Sequence, residues 1–299
     1  MHRLQADLLL LLAAVLWGTA FYFQKTAMEH VGPILFVTAR AVVATLALAP
    51  LVLLEARRAA WSWPRGLAGS AAAAGVAFFV AAILQQSGIV TASVTNAGFL
   101  TSLYVIVTPL LAWTVLHTPP TRYVWPAIAL AFAGTWLLGG GTIGGFSPGD
   151  WLIALSAVVW AIHLLLTGAS VRFARPIAFT AIQFCVLAAC GLAAALLVEP
   201  ITLDGLAGAA PAIAFVGIFS SAVTFTLLAV ALKHTPPAEA AILVSMETLF
   251  AAAAGALLLG EQLAPIGWAG AALMFSATLL VQIGPYLSRV KEGNRPADG

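Results

Sequence analysis

The sequence predicts an all-α membrane protein: ten transmembrane helices arranged as two inverted five-helix repeats. Three observations carry that expectation: an apolar composition, one long internal repeat, and basic residues confined to alternate loops. Of the 299 residues, 62% are hydrophobic and only 8% charged, against about 25% charged in soluble domains, and the mean hydropathy is +1.03. The net charge of +2 is small and the basic residues are scattered, so no nucleic-acid partner is expected; the lipid bilayer is.

The repeat is read from Asp7–Trp17, DLLLLLAAVLW, which returns 143 positions later as Asp150–Trp160, DWLIALSAVVW. The same ungapped offset pairs Pro33-Ile34 with Pro176-Ile177, Ser102 with Ser245, Trp125 with Trp268 and Thr135 with Thr278. Shared leucines and alanines mean little between apolar segments, but two tryptophan pairs, a Pro-Ile pair and an aspartate pair at one offset imply duplication. The expected units are residues 1–143, residues 144–287 and a polar cytoplasmic tail, 288–299.

A helix crosses the hydrocarbon core with about 20 apolar residues, and turn or charge clusters cut the chain into ten such stretches. The first, 7–27, is expected to be retained rather than cleaved as a signal peptide, because its repeat partner lies in mid-chain. The second and third are 34–54 and 66–87, the latter ending in Gln85 and Gln86. The fourth, 94–116, is the most polar, with Thr95, Asn96, Thr101, Ser102, Tyr104 and Thr108 before Pro109. Proline predicts a kink there, and since Ala252 occupies the matching position the two halves should bend differently. The fifth, 123–140, runs into Gly139–Asp150, GGGTIGGFSPGD, read as a tether with a gate as the alternative. The sixth to tenth are 151–170, 177–198, 209–232, 238–259 and 264–286. Cys185 and Cys190 share the seventh on near-opposite faces, which disfavours a disulfide and suggests packing.

Five helices per unit turn the second copy upside down. With the N-terminus inside, eleven basic residues (Arg3, Arg57, Arg58, Arg65, Arg122, Arg172, Arg175, Lys233, Arg289, Lys291 and Arg295) fall on inner segments and only Lys25 on an outer one. The positive-inside rule therefore predicts that both termini are cytoplasmic.

Ionisable groups inside spans should face protein or a water-filled cavity. Arg40, His163 and Glu247 stand out. Arg40 and Glu247 suit either a structural ion pair or a substrate site, and His163 and Glu247 are candidates for proton coupling. Trp160, His163 and Thr167 share one helix face, and the repeat-related face carries Trp17, Phe21 and Gln24 with Tyr22 alongside. Two such faces suit a cavity for a small amphipathic solute; interfacial or core aromatics are the plainer alternative. Asn96, Tyr104 and Arg40 are candidate donors to a solute's carboxylate. Enzyme motifs such as HExxH, a Walker loop or GxSxG do not occur in the sequence, no metal-ligand spacing is present, and no cofactor is expected.

Four stretches bear a further likeness: WGTAFYFQKTA from Trp17, GPILFVTAR ending at Arg40, ASVTNAGFLTSLYVIVTPLLAW from Ala92, and LLLGEQLAPIGWAGAALMF from Leu257. In these the chain resembles the drug/metabolite transporter superfamily and its EamA-type ten-helix members, which include YddG-type aromatic amino-acid exporters. The resemblance covers residues 7–287 and implies an inverted five-plus-five repeat with a central cavity between the halves; the activity expected is that of a secondary transporter, exporter or facilitator, working by alternating access. Carried over residue by residue, it marks Trp17, Lys25, Arg40 and Glu261, with topology and packing as the other reading of Lys25 and Glu261. Where the second repeat has Gly260-Glu261, the first has His117-Thr118, so that motif is not symmetrical here. The expectation is a monomer of the bacterial inner membrane moving amino acids or related metabolites. A nucleotide-sugar or phosphorylated-metabolite exchanger is the alternative transporter, and a sensor or scaffold the alternative of another class.

Overall fold

A computed structural model of the chain describes residues 1–138, 140, 141, 147–262 and 265–293. The first repeat contains α1 (Arg3–Ala27), α2 (Pro33–Arg58), α3 (Leu67–Ile89), α4 (Val94–Thr101), α5 (Tyr104–Leu116) and α6 (Val124–Leu138). The second contains α7 (Pro148–Ala169) with a 3-10 turn (Ser170–Phe173), α8 (Pro176–Val198), α9 (Leu203–Phe215), a π-helical turn (Val216–Val223), α10 (Thr224–Ala231), α11 (Pro237–Val244), α12 (Glu247–Leu259) and α13 (Gly267–Gly293). Proline opens α2, α7, α8 and α11, where its missing N–H is one of the unpaired donors of a first turn.

These elements make ten spans: eight helices, continuous or interrupted, that are long and apolar enough to cross a membrane, and two shorter apolar helices, Val124–Leu138 and Gly267–Val281. The eighth span begins at Leu203 rather than 209, because the Thr202 hydroxyl accepts from the Gly205 N–H at 3.2 Å and caps an earlier turn. The last helix continues to Gly293, so the polar segment from Arg289 begins as helix. The rest of that tail, 294–299, and half of the glycine-rich tether, 139 and 142–146, lie outside the described residues. Cys185 is exposed and Cys190 half-buried, both as free thiols; Cys185 is therefore not the packing residue expected, since its side chain lies at the outer surface of the bundle.

The repeats interlock. α2 lies along α8, α6 along α13, and the broken spans α4–α5 and α11–α12 cross each other. The α2–α8 pair shows the inversion in its end contacts. The Glu55 carboxylate, near the end of α2, accepts from Ile177 N at 3.0 Å and Ala178 N at 2.9 Å at the start of α8. At the opposite end Glu199, following α8, accepts from Ile34 N at 2.9 Å and Leu35 N at 2.7 Å at the start of α2. The capped residues are related by the repeat offset, and each carboxylate meets the positive end of a helix dipole.

The fourth and ninth spans are interrupted at matching places, Ser102-Leu103 and Ser245-Met246. This corrects the expected kink at Pro109, which sits inside α5, and with it the expected difference between halves. The cause is common to both repeats. Ser102 and Thr248 hydroxyls hydrogen-bond each other across the crossing, Thr248 Oγ1 donates to Gly98 O at 3.0 Å, and Ser102 Oγ to Ser245 O at 3.4 Å. Tight i to i−3 bonds, Val105 N to Ser102 O and Thr248 N to Ser245 O, carry the chain through each break. In a bilayer such internal partners are what make non-helical backbone tolerable.

Close approach also depends on glycine. A Cβ on Gly18 of α1 would collide with Phe250 and lie 2.6 Å from Glu247 O and 2.8 Å from Ala251 N of α12. Gly18→Val should therefore unseat α1 from α12 at a cost of about 1–3 kcal/mol or more, and lower the thermal midpoint of the detergent-purified protein by size-exclusion assay; an unchanged midpoint would refute the packing. Glu55→Gln and Glu199→Gln should each cost about 1–2 kcal/mol through a weakened cap. The losses should add in the double variant, because the caps sit at opposite ends of the α2–α8 pair.

Candidate functional site

Between the repeats lies a cavity with about 590 Å³ of unfilled space, its mouth included. From the first repeat it is lined by Trp17, Phe21 and Gln24 of α1, Arg40 of α2, Gln85 of α3, and Thr101 and Tyr104 beside the first helix break. The second repeat supplies Trp160, His163 and Leu164 of α7, Ser220 of the π turn, Phe225 and Leu228 of α10, and Val244 and Glu247 beside the second break. Eight residues singled out in the sequence thus meet on one wall: Trp17, Phe21, Gln24, Arg40, Tyr104, Trp160, His163 and Glu247. Two do not. Tyr22 is turned away from the cavity and packs edge-on against Phe23, with centroids 5.1 Å apart. Asn96 sits in the first turn of α4, at one end of the bundle, where its side chain donates to Asp150 Oδ1 at 3.5 Å.

The aromatic part of the wall is centred on Phe225. Its ring lies 4.9 Å from Trp17, 4.4 Å from Phe78, 6.0 Å from Trp160 and 5.6 Å from His163 between centroids. The repeat offset relates Phe225 to Ala82, so the ring at the centre of this cluster has no counterpart in the first repeat. The π turn helps to place it: Ser220 and Phe225, five positions apart, both reach the cavity, whereas regular helical spacing would set them on different faces. Phe225, Leu164, Leu228 and Val244 carry no polar mark and were not legible as site residues. Gln85, Thr101 and Ser220 were visible as polar residues in spans.

The wide turn also separates the two tryptophans chemically. Trp17 Nε1 donates to Ser220 O at 2.9 Å. The repeat-related carbonyl belongs to Ala77 in the regular helix α3, which spends it on its own ladder, and Trp160 Nε1 is buried without a hydrogen-bond partner. Two further lining atoms share that condition, Arg40 Nη2 and Gln24 Oε1.

The offset explains Arg40 as well. Its counterpart is Gln183, whose Oε1 lies 2.8 Å from His163 Nε2. The counterpart of His163 is Ala20, too short to meet Arg40, and among the described residues no carboxylate pairs with the guanidinium, which is only 4% exposed. Tyr104 and Glu247, also 143 positions apart, face each other across the pseudo-two-fold axis, the phenol donating to Glu247 Oε1 at 3.0 Å.

Lys25 and Glu261 lie outside the cavity. Lys25 Nζ donates to the carbonyls of Ile89, Val90 and Ala92 beyond the end of α3, at 2.9–3.0 Å. Glu261 accepts from Val94 N at 2.8 Å, Thr95 N at 3.1 Å and Thr95 Oγ1 at 2.6 Å, capping α4. In the first repeat, Thr118 bonds back to Ala112 O and spans no such gap.

Comparison with known proteins agrees with this architecture. The model of the EamA-like transporter family matches the chain twice, over residues 4–140 and 147–283. An uncharacterized transporter of Archaeoglobus fulgidus is 27% identical over 94% of this chain and 87% of its own. The uncharacterized transporter YwfM of Bacillus subtilis is 28% identical, covering 96% of each. A crystal structure of another protein has the same fold, with a TM-score of 0.75 at 17% identity over 93% of this chain and 96% of that one. The chain belongs to the EamA-like transporter family, and it is a multi-pass membrane transporter rather than an enzyme.

Proposed function

We propose that this transporter moves small amphipathic metabolites, foremost amino acids including aromatic ones, through the cavity by alternating access. One observation carries the reading: a wall that carries Trp17, Phe21, Tyr104, Trp160 and Phe225 also holds one guanidinium and one carboxylate, Arg40 and Glu247, that do not pair with each other. Aromatic rings offer apolar area and π faces to a solute's side chain, and the polar groups orient its head. A phosphorylated or nucleotide-sugar solute calls for several cations, and among the described residues Arg40 is the only lysine or arginine on the wall.

Alternating access requires two ends that close in turn, and the bundle has different contacts at each. At the end bearing the N-terminus, Arg3 pairs with Glu239 and, at 3.7 Å, with Asp7. Thr235 Oγ1 donates to Asp7 at 2.7 Å and Tyr123 OH to Glu239 at 2.6 Å, which ties α1, α6 and α11 together. The Lys25 and Glu261 contacts tie α1, α3, α4 and α12 at the other end. In this reading one set opens while the other holds, and the crossing at Ser102 and Ser245 is the pivot. The protein works as a monomer in a bacterial inner membrane with both termini cytoplasmic, since the basic loops lie toward the N-terminal end. If transport is proton-driven, Glu247 and His163 are the groups on the wall that exchange the proton.

Flux of labelled amino acids into proteoliposomes, with and without a pH gradient, tests this. Saturable flux of phenylalanine or tryptophan is expected, and no flux across the panel would remove the amino-acid assignment. Trp160→Ala should lower aromatic amino-acid flux about tenfold, from lost ring contact and apolar area, while the protein stays monodisperse. Unchanged flux at equal protein would take Trp160 out of the site.

A further inference from the structure

We infer that Arg40 and Glu247 are the anion and cation subsites of one zwitterionic ligand, so that the cavity selects solutes carrying a carboxylate and an ammonium group together over analogues lacking either. The inference rests on the reading of the cavity as an amino-acid site and specifies how that site discriminates.

The donor side is incomplete within the protein. Arg40 is 4% exposed and its Nη2 has no hydrogen-bond partner. At the equivalent position of the second repeat the side chain, Gln183, is neutral and its Oε1 is held by His163 Nε2, with Gln183 Nε2 left unpaired, whereas the first repeat carries a charge there and Ala20 stands where the matching histidine would be. Trp160 Nε1 is a second unpaired donor on the same wall. On the acceptor side, Glu247 is 4% exposed and takes one hydrogen bond, from Tyr104. A carboxylate accepts about four, so capacity remains, and the unpaired Gln24 Oε1 adds another acceptor. A buried charge without a partner is strongly unfavourable. A ligand bearing both charges compensates both subsites at once, while a singly charged analogue leaves one protein charge alone. The discrimination therefore comes as much from the analogue's uncompensated partner as from the contacts of the zwitterion.

The test is counterflow of labelled phenylalanine in proteoliposomes without any ion gradient, so that loss of proton coupling cannot imitate loss of recognition. Three competitors share one ring: phenylalanine, phenethylamine and 3-phenylpropionate. For the wild type, both analogues should compete at least about tenfold more weakly than phenylalanine, as expected for a lost charge-assisted contact. Arg40→Gln brings in the side chain that the second repeat carries at its equivalent position, and should make phenethylamine the equal of phenylalanine or better. Glu247→Gln retains an acceptor for Tyr104 and should do the same for phenylpropionate, and Arg40→Lys should keep the wild-type order. Variants that lose all three competitors alike, or leave their order unchanged, would overturn the paired subsites while the amino-acid assignment stands. A wild type that carries no phenylalanine would remove the assignment, and the paired subsites with it.

Discussion

Inside a bilayer there is no water to satisfy a free N–H or C=O, and the chain meets this constraint at several places where its helices begin, end or break. Where α2 and α8 begin, Glu199 and Glu55 supply the missing acceptors, each from the other repeat. Beyond the end of α3, the Lys25 ammonium gathers three carbonyls. Where the fourth and ninth spans break, serine and threonine hydroxyls of the opposite repeat close the gap. The partner comes repeatedly from the other half, so neither repeat has a complete hydrogen-bond inventory alone. The interface between them is therefore part of the secondary structure, beyond its role as a packing surface.

Symmetry makes the scaffold and its violations make the cavity chemistry. The duplicated positions that remain alike, such as Ser102 with Ser245 and the capped Pro-Ile turns, are architectural. Those that have diverged concentrate around the cavity: Arg40 against Gln183, His163 against Ala20, Glu247 against Tyr104, Phe225 against Ala82. An inverted duplication with identical halves would present the same groups twice in opposite orientation, which suits a symmetrical ligand poorly matched to metabolites with a distinct head and side chain. Divergence at four related pairs gives the cavity a polar direction without disturbing the frame that holds it.

The frame was legible in the sequence because it is carried by sums over many residues: ten apolar stretches, one ungapped offset, and a charge bias among loops. The individual turns were not. The break at Ser102 was hidden because serine in a membrane helix ordinarily bonds its own turn, and Pro109 drew attention to the wrong place; what breaks the helix is a partner 143 positions away. The π turn left no compositional mark, so Phe225 was missed, and Asn96 was misjudged because a polar residue in a span says nothing about depth. Tyr104 and Glu247 differ by the repeat offset, so their meeting on the axis was contained in the numbering. It became visible only once the two breaks placed both residues directly after a crossing.

That placement connects the site to the ends of the bundle. Tyr104 and Glu247 open α5 and α12, directly after the interruptions, while the partner segments α4 and α11 run to the opposite ends, where Glu261 caps one and Glu239 belongs to the other. A break relieves the half-helices of the requirement to move as one rod, and hydroxyl bonds at the crossing can reorient at little expense where a continuous helical ladder would have to be opened. Glu247, on the cavity wall, therefore opens the same short segment whose outer end leads to Glu261 and its cap on α4, whereas the outer end of α5 makes no such contact.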